Sequence, residues 1–96
     1  MINITVRSAM SIAKALGGRS IKVEIDEKAD VSVLFTCLSE RYGETFRRYI
    51  YKEDGTFKNG FFSIMLNGRN IFALEGFKCL LKEGDDVLIL PVISGG

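Results

Sequence analysis

Apolar and polar residues alternate with period two near the start of the chain. Ile2, Ile4 and Val6 are interleaved with Asn3, Thr5 and Arg7, the pattern of a half-buried strand. Ile21, Val23 and Ile25 alternate in the same way with Lys22, Glu24 and Asp26, giving a second strand that pairs antiparallel with the first. Each strand carries its apolar set on one face and leaves the other to solvent. Between them, Met10, Ile12, Ala13 and Leu16 suit a helical turn that Gly17-Gly18 stops. The first half reads as a β-hairpin.

The period then changes to that of a helix. Val31, Leu34, Phe35, Leu38 and Tyr42 share one helical face, with Asp30 as N-cap and Gly43 as the residue that ends the helix. Phe46, Tyr49 and Ile50 suggest another short helical turn, and Lys52 to Thr56 a polar turn. Asn59-Gly60 opens a strand from Phe61 to Leu66, and Asn67-Gly68 is the strongest turn signal in the chain. Ile71 and Phe72 follow as a short strand or strand-like return, Leu74 to Leu81 as an irregular crossing. Val87 to Leu90 is a nearly continuous apolar run suited to a central strand, which Pro91 ends by lacking a ladder donor. A right-handed crossover makes the first and last strands parallel neighbours at the centre of the sheet. The expected fold is α+β and of the β-grasp type: a mixed sheet of roughly 4–5 strands packed on one main helix. Residues 1–96 form a single domain, with 91–96 as an extended tail.

Composition narrows the function. At 96 residues and 47% apolar, the chain makes one packed domain. Thirteen Lys and Arg against 12 Asp and Glu leave a net charge of +1, far from the basic stripe of a nucleic-acid binder. No apolar run approaches the ~20 residues of a membrane span, and the N-terminus lacks the pattern of a signal peptide. Cytoplasm is the expected compartment. Two cysteines, Cys37 and Cys79, are too few for a disulfide framework or four-cysteine iron–sulfur ligation, and both read as buried reduced thiols. Without histidine there is no Ser-His-Asp or Cys-His catalysis and no histidine metal site. No cofactor or metal is expected on this chain.

Smaller clusters add little. Gly17-Gly18-Arg19-Ser20 lacks the lysine of a phosphate loop and leads into a strand. Glu83, Asp85 and Asp86 suggest a cation site only weakly and read as a turn with repelling surface carboxylates. Arg47, Arg48 and Lys52 beside Tyr49 and Tyr51, surrounded by Glu44, Glu53 and Asp54, read as a solvated face or else a patch for an acidic partner.

The last residues, Val92-Ile93-Ser94-Gly95-Gly96, have no reason to belong to the core. Five extended residues reach roughly 16 Å past the fold. Glycines without a Cβ pass through a channel that excludes any side chain, and they leave a terminal carboxylate sterically open to activation by another enzyme. On this reading Gly96 is itself a reacting group. The alternative is a pair of inert, frayed glycines.

The stretch from Glu83 to Gly96 resembles the closing motif of the MoaD/ThiS sulfur carriers, ubiquitin-like β-grasp proteins ending in Gly-Gly. Leu66-Asn67-Gly68-Arg69 is similar to the family's V-N-G-R turn, and Arg41-Tyr42-Gly43-Glu44-Thr45-Phe46 to the helix end of its longer, archaeal-type members. The resemblance implies that Gly96, supported by Gly95, is adenylated by an ATP-using partner of the ubiquitin-activating type and converted to a thiocarboxylate. It implies a non-catalytic sulfur carrier, the small subunit of molybdopterin synthase, whose tail enters the large subunit. It also implies contacts from Leu81 and Leu90, beside Pro91. Phe72 is a further apolar candidate for that docking surface, and core packing is the other reading of these residues. Two departures stand out: Val92 replaces the usual second proline, and Leu90 the usual aromatic. A ubiquitin-like modifier joined through Gly96 to lysines, a thiamine-type carrier and an inert β-grasp interaction module are the competing expectations.

Overall fold

The computed structural model describes residues 1–58 and 60–92. The chain runs β1 (Ile2–Ser8), α1 (Met10–Ala15), β2 (Ser20–Ile25), α2 (Val31–Tyr42), α3 (Glu44–Ile50), β3 (Phe62–Leu66), β4 (Arg69–Asn70) and β5 (Asp86–Pro91). The five strands form one sheet in the order β2-β1-β5-β3-β4. β1 and β5 lie parallel at its centre, with Val6 opposite Val87 and Ser8 opposite Ile89. The remaining pairings are antiparallel. This is the ubiquitin-like β-grasp arrangement.

The period-two pattern aims one side of every long strand at the helices. Ile4, Val6, Ile64, Val87 and Ile89 are fully buried there, against Val31, Leu34, Phe35 and Leu38 of α2. Asp30 caps α2, its Oδ1 accepting the Val33 N–H at 2.9 Å. Gly43, at φ +69°, turns the chain out of α2 and into α3, which buries Phe46 and Ile50. Phe35 anchors an aromatic cluster, with Phe46, Phe57, Phe62 and Phe77 within 5.7–6.5 Å by ring centroid.

The start of β5 is locked to the β3–β4 turn. Asn67 and Gly68 both have positive φ (+51° and +84°), the two-residue turn that matches strand twist. Asn67 Nδ2 donates to Asp85 Oδ1, and its Oδ1 accepts the Asp86 N–H, both at 2.9 Å. Asp85 Oδ2 accepts the Lys82 N–H at 2.8 Å, and Glu83 Oε1 the Asn3 N–H at 3.1 Å. The acidic turn and the Asn-Gly turn are thus structural pins.

Three local expectations are corrected. Ile71 and Phe72 are not a strand: β4 stops at Asn70, whose side chain accepts the Phe72 N–H at 2.9 Å and caps a 3₁₀ turn, Ile71–Ala73. The crossing from Leu74 to Leu81 contains a second 3₁₀ turn, Gly76–Lys78. Pro91 does not end β5 but lies within it, opposite Phe62. The Val92 N–H bonds the Phe61 carbonyl at 2.9 Å, so Phe62 and Pro91 form a pair that exchanges no hydrogen bonds. On the other side β1 has already ended at Ser8. A missing N–H at that position costs no ladder bond. The ladder therefore continues one residue beyond Pro91, and the expected tail boundary at residue 91 moves outward.

Candidate functional site

β5 carries the chain out of the middle of the sheet. Its inward residues, Val87 and Ile89, are buried, while Leu88 and Leu90 face the side opposite the helices and are partly exposed. The register places Met65 opposite Leu88 and Ser63 opposite Leu90 on that outer face. Phe61, bonded to Val92, extends the row. Phe61 is 67% exposed and Val92 48% exposed. An apolar strip thus runs along β3 and β5 to the point where the tail leaves, the composition expected of a protein interface rather than a free surface.

Polar groups bound this strip on the β1 side. Arg7 grips Asp86 with Nε and Nη2, both at 2.7 Å, and the Lys22 Nζ donates to Thr5 Oγ1 at 2.7 Å. The hydrogen bonds from Arg7 hold the Asp86 carboxyl below the usual carboxylate range. Neither group faces the tail exit as a free acid or base.

The residues expected to dock a partner separate. Leu90 lies on the outer strip. Pro91, its neighbour, belongs to the opposite side of the strand and is partly exposed. Leu81 is 3% exposed, a member of the core, and its N–H bonds the Ala29 carbonyl, so of its two readings the structure places it in packing. Phe72 is exposed, but its ring meets Phe77 edge-on at 5.7 Å and so rims the aromatic cluster on the helix side of the sheet. Gly95 and Gly96 lie outside the described residues. Sequence reasoning missed Phe61, Met65, Leu88 and Val92 as surface residues. Apolar residues occupy both faces of these strands, so alternation gives no signal, and only the β3–β5 register sorts them.

Other chemistry is thin. Both cysteines are free; Cys79 is buried, and Cys37 is partly exposed instead of buried. Burial, helped by Glu40 and Asp26, pushes the Cys37 thiol up and away from the reactive thiolate. Among the described residues no group of His, Cys, Asp or Glu could hold a metal ion. No helix among them is long and apolar enough to cross a membrane.

The sequence profile of the ThiS family matches residues 11–96. The chain belongs to the ThiS family. Over 75 residues it is 40% identical to a protein of Archaeoglobus fulgidus named as a sulfur carrier, covering 77% of this chain and 83% of that one. Small archaeal modifier protein 3 of Haloferax volcanii is 28% identical over 95 residues, 99% of this chain and 100% of its own. Among solved structures, small archaeal modifier protein 1 of Methanosarcina acetivorans superposes with a TM-score of 0.80 at 28% identity, covering 100% of this chain and 98% of that one.

Proposed function

We propose that this family member is a sulfur carrier whose reacting group is the Gly96 carboxylate. A Gly96 oxygen attacks the α-phosphorus of ATP bound by an adenylating enzyme of the ubiquitin-activating type, and pyrophosphate leaves. A sulfur nucleophile then displaces AMP, leaving a thiocarboxylate. In its finer form, the reading makes this chain the small subunit of molybdopterin synthase. There the large subunit takes the tail and the sulfur passes to the pterin precursor. The chain would contribute Gly96 and a docking face; partner enzymes would contribute ATP binding and catalytic side chains.

The observation that carries the reading is geometric. The central strand β5 ends at Pro91 beside an exposed apolar strip that runs to Val92, the face a docked partner would cover to reach the residues that follow. A narrow channel in that partner admits glycine and no larger residue. The resemblance to a named modifier protein supports a second reading, in which the same activated Gly96 forms an isopeptide bond with a lysine of another protein.

Intact mass spectrometry tests both. Incubation with the adenylating enzyme of the same genome, ATP and a sulfide source should exchange one oxygen of the carboxylate for sulfur. A chain lacking Gly96 should not react. Unchanged mass in the full-length chain sinks the reading. Adducts on lysines of other proteins, without pterin-directed transfer in the presence of the large subunit, decide for the modifier.

A further inference from the structure

The topology sorts the charges by end. β1 and β5 point one way, so Ser8, α1 and Val92 share the end where the tail leaves, while Asn3, Asp85 and Asp86 mark the other. α1 packs on β5 and on α3, which brings α3 and the segment after it to the tail end. That segment is tied to the tail by a run of backbone bonds: Val92 N–H to Phe61, Phe61 N–H to Lys58, Lys58 N–H to Ile50. The opposite end collects the carboxylates of Asp26, Glu27, Glu83, Asp85 and Asp86 against the cations Lys28, Arg69 and Lys82. A chain of net charge +1 is therefore polarised along its strands, cationic where the tail emerges.

Four of the cations at the tail end line one hollow, apart from Lys14 and Arg19. It measures about 710 Å³, is open to solvent, and is walled by Arg47, Arg48, Lys52 and Lys58 around Tyr51, with Glu44 and Glu53 as its carboxylates. Glu44 is engaged by Arg47 at 3.3 Å. Among the described residues no carboxylate lies within ion-pair distance of Arg48, Lys52 or Lys58. Lys58 Nζ instead donates to the Arg48 backbone carbonyl, which holds the Lys58 side chain against the end of α3. Such a hollow attracts an anion, and its position beside the tail stem says which kind. Whatever binds there must also receive the tail, so the anion is the carboxylate surface of a protein.

We infer that this hollow is an electrostatic docking site for an acidic surface flanking the tail channel of the activating partner. The inference rests on the proposed activation of Gly96 and adds the group that orients the encounter. Long-range attraction of this kind raises association rates and fades as salt screens it.

The test compares charge reversals at the two ends. Full-length R48E/K52E and R69E/K82E change net charge equally, and both pairs lie on exposed side chains. ATP–pyrophosphate exchange by the adenylating enzyme is followed against carrier concentration at low and high ionic strength. R48E/K52E should lower kcat/KM about tenfold or more at low salt, with kcat retained at saturation and the deficit shrinking at high salt. R69E/K82E should lie close to wild type. Thermal melts check folding, and R48Q/K52Q should give a smaller loss of the same kind if the reversal fails to fold. Equal losses from both ends, a deficit independent of salt, or no loss at all would overturn the inference while leaving Gly96 activation intact. Transfer RNA that binds the wild type but not R48E/K52E, with exchange unaffected, would assign the hollow to nucleic acid and also overturn it. No exchange with wild type would overturn the activation reading and this inference together.

Discussion

The two ends of the central strand are built differently. Where β5 begins, Asn67, Asp85 and Glu83 saturate the turns with side-chain hydrogen bonds to backbone N–H groups and to one another. Where β5 finishes, the last ladder bond among the described residues is Val92 to Phe61, and Phe61 stands largely in solvent. One end holds the sheet; the other presents it. The acidic and Asn-Gly turns secure the register, and under the proposed function the Gly-Gly pair would be delivered from the other end.

Changes at the two ends should separate activity from stability. Removing Gly96 should abolish thiocarboxylate formation by intact mass and leave the melting curve unmoved. Leu81→Ala should do the reverse. It opens a cavity in the core and should cost about 2–5 kcal/mol in denaturant unfolding, while the remaining folded protein is still activated. A Leu81→Ala chain of wild-type stability but impaired docking would return Leu81 to the interface. Phe61→Asp places a charge on the exposed strip. Binding to the partner, read by calorimetry, should weaken by about 2 kcal/mol, with stability within about 0.5 kcal/mol of wild type.

The pinned end yields the smaller effects. Asn67→Ala removes two side-chain hydrogen bonds from a turn residue at positive φ and should cost about 1–2 kcal/mol without changing affinity for the partner. The Arg7–Asp86 pair should give the smallest. Asp86 has its carboxyl lowered in the folded state, so its stabilising contribution is present above the ordinary carboxylate range and is lost as pH falls through the lowered value. An Arg7→Gln chain should show a shallower loss of stability on acidification, measured by thermal melts between neutral and acid pH. An unchanged slope would remove the pair from the account.

Much of the framework was legible in local pattern. Period two in β1 and β2, period 3.6 in α2, Asp30, Gly43 and Asn67-Gly68 each announced themselves, because capping and turn chemistry act over a few residues. Phe72 and Leu81 show where legibility ends. Both are large and apolar, and both lie in a stretch without regular period. Asn70 caps a 3₁₀ turn that leaves Phe72 at the rim, and the Ala29 carbonyl draws Leu81 inward. Pro91 departs from its expected place for a similar reason. A proline breaks a ladder only where its N–H is needed, and that depends on strands distant in sequence.

The sequence by itself determined the main strands, the main helix, their order and the Gly-Gly ending, since these follow from spacing and residue chemistry within short windows. Tertiary structure alone decided which face of β5 meets solvent, that Phe61 and Val92 complete an apolar strip, and that α3's cations lie toward the Val92 end of the sheet. Those relations come from pairing between residues tens of positions apart, and in strands apolar on both faces no local pattern encodes them.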